Sequence, residues 1–137
     1  PRTGSSSGGF LRLRLDHSAA DMGRALLESA AFELRHALEE AHSIGLPLEQ
    51  LWMVGGAARS PHWPHILADT IGTPIHLTRS THGPALGAAV LAARSMNLLD
   101  EHPDWVSAVI IEPDQHQTSV YHDIYSEYIH LTGKLSL

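Results

Sequence analysis

Short apolar segments alternate with segments of helical periodicity along the chain, and this order constrains the fold more than any other feature. Apolar residues at helical spacing predict one long amphipathic helix from about Ala19 to His42. Ser18 is the expected N-cap, and Asp21 completes a capping box with a short acid. Gly45 and Pro47 are expected to end this helix.

The rest of the chain continues the alternation. Leu and Arg residues interleave from Phe10 to Leu15, which predicts a short strand with one buried face. The later predicted elements are a buried strand over 51–54, a helix capped by Ser60 and reaching about Ile71, a strand over 74–77, a helix from Pro84 to about Met96, an extended segment over 106–111 and a last helix that starts at Pro113-Asp114. This order predicts an α/β fold with parallel strands and right-handed crossovers.

Composition excludes several classes of protein. The 137 residues fit one domain, and the absence of cysteine excludes disulfides, thiolate metal sites and a cysteine nucleophile. A net charge of −6 argues against nucleic-acid binding. The sequence has no apolar run that could span a membrane and no signal-peptide core near its start, so we expect a cytoplasmic domain. Residues 1–9 are rich in Gly and Ser and are expected to be a flexible or truncated start.

The segment Trp52–Ser60, WMVGGAARS, passes from an apolar strand through glycines to the start of a helix. Small residues let the backbone approach a ligand closely, and a helix N-terminus offers unpaired N–H groups. A phosphate or nucleotide is therefore a natural ligand for this turn. The segment matches neither the Walker pattern nor GxGxxG, so a turn that is glycine-rich only for tightness stays open.

Three other features have a functional and a structural interpretation. His62, His65 and Asp69 could share a helix face and bind zinc, but such spacing arises by chance in a chain with eleven His. The small residues of 83–89 favour close helix packing over a second ligand-facing N-terminus. Tyr121, Tyr125 and Tyr128 favour a packed helix face over an aromatic ligand platform. No catalytic triad or pair of acids is indicated.

Two longer segments, VGGAARSPHWPHILADTIGTPI and GPALGAAVLA, closely resemble the C-terminal domain of the FGGY carbohydrate kinases. The family pattern is a GGGA(K/R)S-like loop, a tryptophan, an Ala-Asp pair, a short Pro-Ile strand and ALGAA. The matching residues here are Gly55–Ser60, Trp63, Ala68-Asp69, Pro74-Ile75 and Ala85–Ala89. The departures are Ala57 for the usual third glycine, Arg12 where the family favours glycine, and Pro64-His65 for a common Arg-Gln pair.

This resemblance implies the second part of an actin-like ATPase domain of ribonuclease-H-like topology. Residues 10–137 would supply an α–β–α–β–α core plus a C-terminal helix. The preceding antiparallel strands, the catalytic aspartate and the whole sugar-binding N-terminal domain would lie upstream of the chain. The strand over 51–54 would then be an unprotected edge with an uncovered apolar flank.

The resemblance also implies a function and a set of site residues. The longer protein would use ATP and Mg²⁺ to phosphorylate a sugar hydroxyl, and the chain alone would be inactive. Gly55, Gly56, Ala57 and Ala58 would contact the nucleotide, and Ser60 would reach its base or ribose. The pattern is most similar to the family members that act on xylulose, and gluconate, ribulose and glycerol stay open as alternative substrates. A homodimer is possible for the longer protein. A fragment that serves only in assembly, without catalysis, is the alternative function.

Overall fold

The computed structural model describes residues 8–46, 48, 50–78, 83–99 and 108–135. Helices and strands alternate within these ranges, as predicted from the sequence. The elements are α1 (Ala19–Ser43), β1 (Leu51–Met53), a 3₁₀ turn (Gly56–Arg59), α2 (Trp63–Ile71), β2 (Ile75–Thr78), α3 (Gly83–Ser95), β3 (Ala108–Ile111) and α4 (Gln115–Leu135).

The predicted capping box fixes the start of α1. The Ser18 hydroxyl accepts the Asp21 N–H at 3.3 Å, and the Asp21 carboxylate accepts the Ser18 N–H at 2.7 Å. Hydrogen bonds from the hydroxyl and the N–H of Ser18 hold the pKa of Asp21 below its ordinary value. Gly45, with a φ of 81°, follows the helix as expected, because glycine adopts this left-handed conformation without strain. Pro47 lies outside the described residues.

The sheet has the order β1-β2-β3. β1 and β2 are parallel, as predicted, but β3 is antiparallel to β2, so the prediction of an all-parallel sheet is wrong. The alternation of elements sets their order but leaves the direction of a short edge strand open, and parallel sheets often carry an antiparallel edge strand. β1 forms the other edge of the described sheet, as expected.

Only one face of the sheet is covered in the described part of the chain. The main core joins α1, α2 and β2 through a compact set of buried side chains: Ala31, Ile66, Leu67, Ala68 and Ile75. Leu51 and Met53 of β1 pack against this core, whereas Trp52 and Val54 are 44% and 48% exposed. The prediction of a buried β1 is therefore wrong for its outer face, where the Trp52 ring stacks on His76 with 4.9 Å between centroids.

The tyrosine row of α4 packs against α1, which confirms its structural interpretation. Tyr121 and Tyr125 are buried, and both contact the buried ring of Phe32. Each phenol donates a hydrogen bond to a glutamate of α1: Tyr121 to Glu28 at 2.9 Å, Tyr125 to Glu39 at 2.7 Å and Tyr128 to Glu33 at 2.7 Å. This row of bonds sets the position of α4 along α1.

Arg35 of α1 links three helices. Its guanidinium donates to the carbonyl oxygen of Thr70 on α2 at 3.1 Å and to Nδ1 of His122 on α4 at 3.1 Å. It also lies over the Tyr125 ring, with Cζ 4.1 Å from the centroid. Although burial opposes ionisation, hydrogen bonds from Arg35 and Tyr125 lower the pKa of Glu39. This largely buried guanidinium therefore contacts α1, α2 and α4 at the same time.

Two expectations about exposed segments are wrong. Residues 10–15 are irregular and exposed rather than a strand, and Arg12 has a φ of 55°, which is incompatible with an extended strand. That conformation suits glycine, the residue favoured by the family at this position. Ala85, Gly87, Ala88 and Ala89 of α3 are exposed, and a Cβ built on Gly87 would meet nothing within 4 Å in the described part of the chain. No described element covers this stripe closely enough for the expected packing.

Replacing Arg35 tests its role as the link between the helices. Arg35→Met keeps an unbranched side chain but removes the bonds to Thr70 and His122. We expect it to lower the free energy of unfolding by about 2 kcal/mol, because charged donors to partly buried acceptors contribute about that much. Arg14→Met is the matched control, since Arg14 pairs only with the exposed Asp16. Equal urea midpoints for the two variants would contradict this role.

The tyrosines make stability depend on alkaline pH. Burial, reinforced by glutamate carboxylates, raises the pKa of Tyr125 to about 12 and that of Tyr128 to about 12. Burial also raises the pKa of Tyr121. An unfolded tyrosine has a pKa of about 10, so the unfolded state loses these protons first as pH rises. The stability that the phenols contribute is complete below about pH 10 and is lost towards about pH 12.

The chain has three tyrosines, all on α4, so the absorbance of tyrosinate reports on this contact alone. We expect the native chain to titrate at higher pH than the chain in denaturant. Glu33→Gln should lower the pKa of Tyr128, because it removes the carboxylate that accepts the phenol proton. Glu40→Gln is the control, because Glu40 faces His36. Coincident native and denatured titrations would refute the contact.

Candidate functional site

Gly55 joins β1 to the 3₁₀ turn in a conformation that only glycine adopts readily. Its φ of 83° and ψ of −156° lie in a region that a side chain makes highly unfavourable. A Cβ at this position would meet nothing within 4 Å, so the backbone angles, and not a lack of space, require glycine. The backbone angles of Gly55 therefore explain why the predicted turn requires glycine at this position.

The residues after Gly55 form an open turn. Gly56 and Ala57 are exposed, whereas Ala58 and Ser60 are half-buried. The Ser60 N–H donates to the carbonyl oxygen of Ala57 at 3.1 Å, which closes the turn. Because the side chains here are small or absent, a ligand could reach the peptide groups of Gly56 and Ala57 directly.

The Ser60 hydroxyl stabilises the start of α2. It accepts the backbone N–H of Trp63 at 3.1 Å and that of His62 at 3.4 Å. The predicted capping role of Ser60 is therefore confirmed, although the helix begins at Trp63, later than the sequence indicated. His62 occupies the N-cap position without a capping bond from its own side chain.

The turn lies at the edge of the sheet where α/β proteins commonly bind ligands. β1 and β2 run parallel with Met53 beside Leu77, so their carboxyl ends meet at the same edge. The 3₁₀ turn follows β1, and α3 begins at Gly83 after β2. Two helix N-termini therefore follow neighbouring strand ends.

Arg59 is a candidate site residue that the sequence prediction omitted. Its guanidinium lies 4.0 Å from the Cβ position of Gly56, and no carboxylate pairs with it in the described ranges. It is also the only Lys or Arg between residues 50 and 78, a signal that was available in the sequence. The turn thus carries an exposed positive charge beside its most accessible backbone.

The histidines of α2 form a different feature. His62, His65 and Asp69 line a shallow hollow of about 330 Å³ together with Arg24 and Gln117. The Asp69 carboxylate accepts the Asp114 N–H at 2.8 Å, which fixes the approach to α4. No group of three or more His, Cys, Asp or Glu in the described part of the chain is placed to hold a metal ion.

Alanine substitutions at Gly55 and Gly56 distinguish a requirement for glycine backbone angles from a requirement for space beside the backbone. We expect Gly55→Ala to lower the free energy of unfolding by about 1–3 kcal/mol, because alanine strains the observed angles. Gly56→Ala should leave it nearly unchanged, since a Cβ there meets only the end of the Arg59 side chain, at 4.0 Å. Urea denaturation of the two variants measures the difference. Equal losses would show that the turn does not hold the described conformation.

The sequence is similar to those of known proteins. The model of the FGGY family of carbohydrate kinases, C-terminal domain, matches residues 3–96. The ribulokinase of Mycolicibacterium smegmatis is 32% identical over 131 residues, 91% of this chain and 23% of that protein. The xylulose kinase of Escherichia coli K12 is 34% identical over 93 residues, 67% of this chain and 19% of that protein.

The fold is similar as well. The crystal structure of xylulose kinase from Rhodospirillum rubrum matches with a TM-score of 0.81 and 29% identity, over 98% of this chain and 28% of that one. The chain spans about a quarter of the length of the curated relatives it matches. None of the described helices combines the length and apolar character needed to cross a membrane. The likeness confirms the predicted α/β fold of the actin-like ATPase class, and the chain belongs to the FGGY family of carbohydrate kinases, whose C-terminal domain it carries.

Proposed function

We propose that this chain is the C-terminal, nucleotide-binding part of a kinase that transfers the γ-phosphate of ATP to a sugar hydroxyl. One observation carries the proposal: the turn fixed by Gly55 exposes its backbone at the carboxyl end of β1. The family supplies the class of reaction, and this turn supplies a surface suited to the nucleotide.

The turn has the properties that a nucleotide requires. Gly56 and Ala57 place no bulky side chain over their peptide groups, so their N–H groups can approach phosphate or ribose oxygens. Ala58 adds a further small residue ahead of the N-terminus of α2, and the positive end of the helix dipole favours negative charge there. Arg59 adds a full positive charge beside Gly56. Ser60, at the end of the turn, completes the proposed set.

Mg²⁺ and the catalytic aspartate have no place in this turn. Residues 50–68 contain no Asp or Glu, so nothing here fits a hard cation that prefers carboxylate oxygens. We propose that the Mg²⁺ ligands and the aspartate that activates the sugar hydroxyl come from the upstream part of a longer kinase. Phosphoryl transfer depends mainly on positioning and charge stabilisation, so the chain alone transfers no phosphate.

The uncovered surface suits such a longer protein. Trp52, Val54 and Ile110 leave the outer face of the sheet apolar and exposed, and Leu91 of α3 is 70% exposed. An exposed apolar area of this kind usually marks a contact surface. We propose that upstream strands of the same polypeptide cover it and pair with the free edge of β1. A homodimer is a further proposal for the complete kinase.

Xylulose is the proposed substrate, because xylulose kinases recur among the relatives and solved structures. Ribulose is the second candidate, favoured by the 32% identity with a ribulokinase. The sugar-contacting residues lie outside the chain in this proposal, so other sugars are separated by assay of the complete enzyme. We place its activity in the cytoplasm, the compartment that supplies ATP.

Nucleotide binding tests the proposal and separates it from a purely structural role in assembly. Calorimetry on the polypeptide that carries the chain should show binding of ADP. Gly56→Val should weaken that binding at least about tenfold, because two methyl groups then cover the backbone, a loss of about 1.4 kcal/mol. Gly23→Val on the exposed surface of α1 is the matched control. Absence of binding, or equal affinity in Gly56→Val and wild type, would contradict the proposal.

A further inference from the structure

Ser60 connects the glycine turn to α2 through its backbone N–H and its hydroxyl oxygen. Its N–H donates to Ala57 at 3.1 Å, and its hydroxyl oxygen accepts the N–H groups of Trp63 and His62 at 3.1 and 3.4 Å. Ser60 is thus both the end of the turn and the residue that bonds to the start of α2. Ser60 therefore fixes the angle between the last residues of the turn and the helix axis.

The start of α2 has few other ways to satisfy its N–H groups. His62 at the N-cap position contributes no side-chain bond, and Pro64 in the first turn has no N–H. Trp63 is half-buried, so its N–H is poorly placed to find water instead. Ser60 acts in place of the missing cap, from two residues further upstream.

We infer that Ser60 is a positioning residue for the nucleotide: its hydroxyl oxygen holds Gly55–Ala58 in the binding conformation by capping α2, rather than by contacting the base or ribose. This inference rests on the proposed function. The hydroxyl oxygen already accepts two backbone N–H groups, the second at 3.4 Å, so its proton is the group best placed to serve a ligand. The structural role needs an acceptor at this position, whereas a contact with the base or ribose through the remaining proton needs a donor.

Substitutions at Ser60 separate an acceptor from a donor. Ser60→Ala removes both properties. Ser60→Asp keeps the acceptor, since aspartate caps helices as well as serine does, but has no proton to donate at neutral pH. Ser126→Ala is the matched control, because the Ser126 hydroxyl is exposed and bonds only within α4. Adenosine is used beside ADP so that repulsion between the aspartate and the phosphates is not mistaken for a lost contact.

Thermal unfolding, hydrogen exchange of the Trp63 amide and binding of both ligands are measured on the polypeptide that carries the chain. In Ser60→Ala we expect about fivefold weaker binding of ADP and adenosine, which is the loss of about 1 kcal/mol of cap stability expressed as an affinity, together with faster Trp63 exchange. Ser60→Asp should restore Trp63 protection and adenosine affinity together. Thermal unfolding of Ser60→Asp shows whether the site is folded even where Ser60→Ala is too unstable to measure.

Two outcomes would overturn the inference while leaving the proposed function intact. One is that Ser60→Asp protects the Trp63 amide but binds adenosine as weakly as Ser60→Ala, which assigns the hydroxyl proton to the ligand. The other is that neither substitution changes binding. If the wild-type polypeptide binds neither ADP nor adenosine, the proposed function fails and the inference fails with it.

Discussion

The position of α2 is the constraint on which the rest of the structure depends. Arg35 holds its carboxyl end through the Thr70 carbonyl, and Asp69 links it to the start of α4. Ser60 holds its amino end, and its inner side supplies the buried residues of the main core. The glycine turn precedes this helix directly, so contacts far from the turn decide where its exposed backbone lies. Structure and proposed binding are connected through one short, well-anchored helix.

The packing is complete on one side and open on the other. α1 and α2 cover one face of the sheet with buried apolar side chains, and α4 packs against α1 through an aromatic cluster and a row of tyrosine–glutamate bonds. The opposite face carries Trp52 and Ile110, and the described part of α3 shows its small residues to solvent. This asymmetry agrees with a chain that spans about a quarter of its curated relatives. The turn lies at the edge of the sheet, with the helices on one side and the open face on the other.

The sequence predicted the features that depend on local chemistry. The capping box of α1, the glycine-rich turn after β1, the cap from Ser60 and the tyrosine face of α4 each follow from a few neighbouring residues. The sequence prediction failed where the local structure depends on residues that are distant in the sequence. The alternation in 10–15 has no strand to pair with in the described chain, and the direction of β3 depends on how the chain returns after α3. The site residues of the turn could be found from their pattern, but Arg59 was omitted because a charge gains meaning only from its position beside Gly56.

The position of bound nucleotide can be tested directly. A crystal structure of the polypeptide that carries this chain, determined with bound ADP, would locate the nucleotide relative to the glycine turn. We predict that the nucleotide lies against the backbone of Gly55–Ala58, with the Ser60 hydroxyl still bonded to the Trp63 N–H. ADP bound elsewhere, for example in the hollow beside His62 and His65, would contradict it.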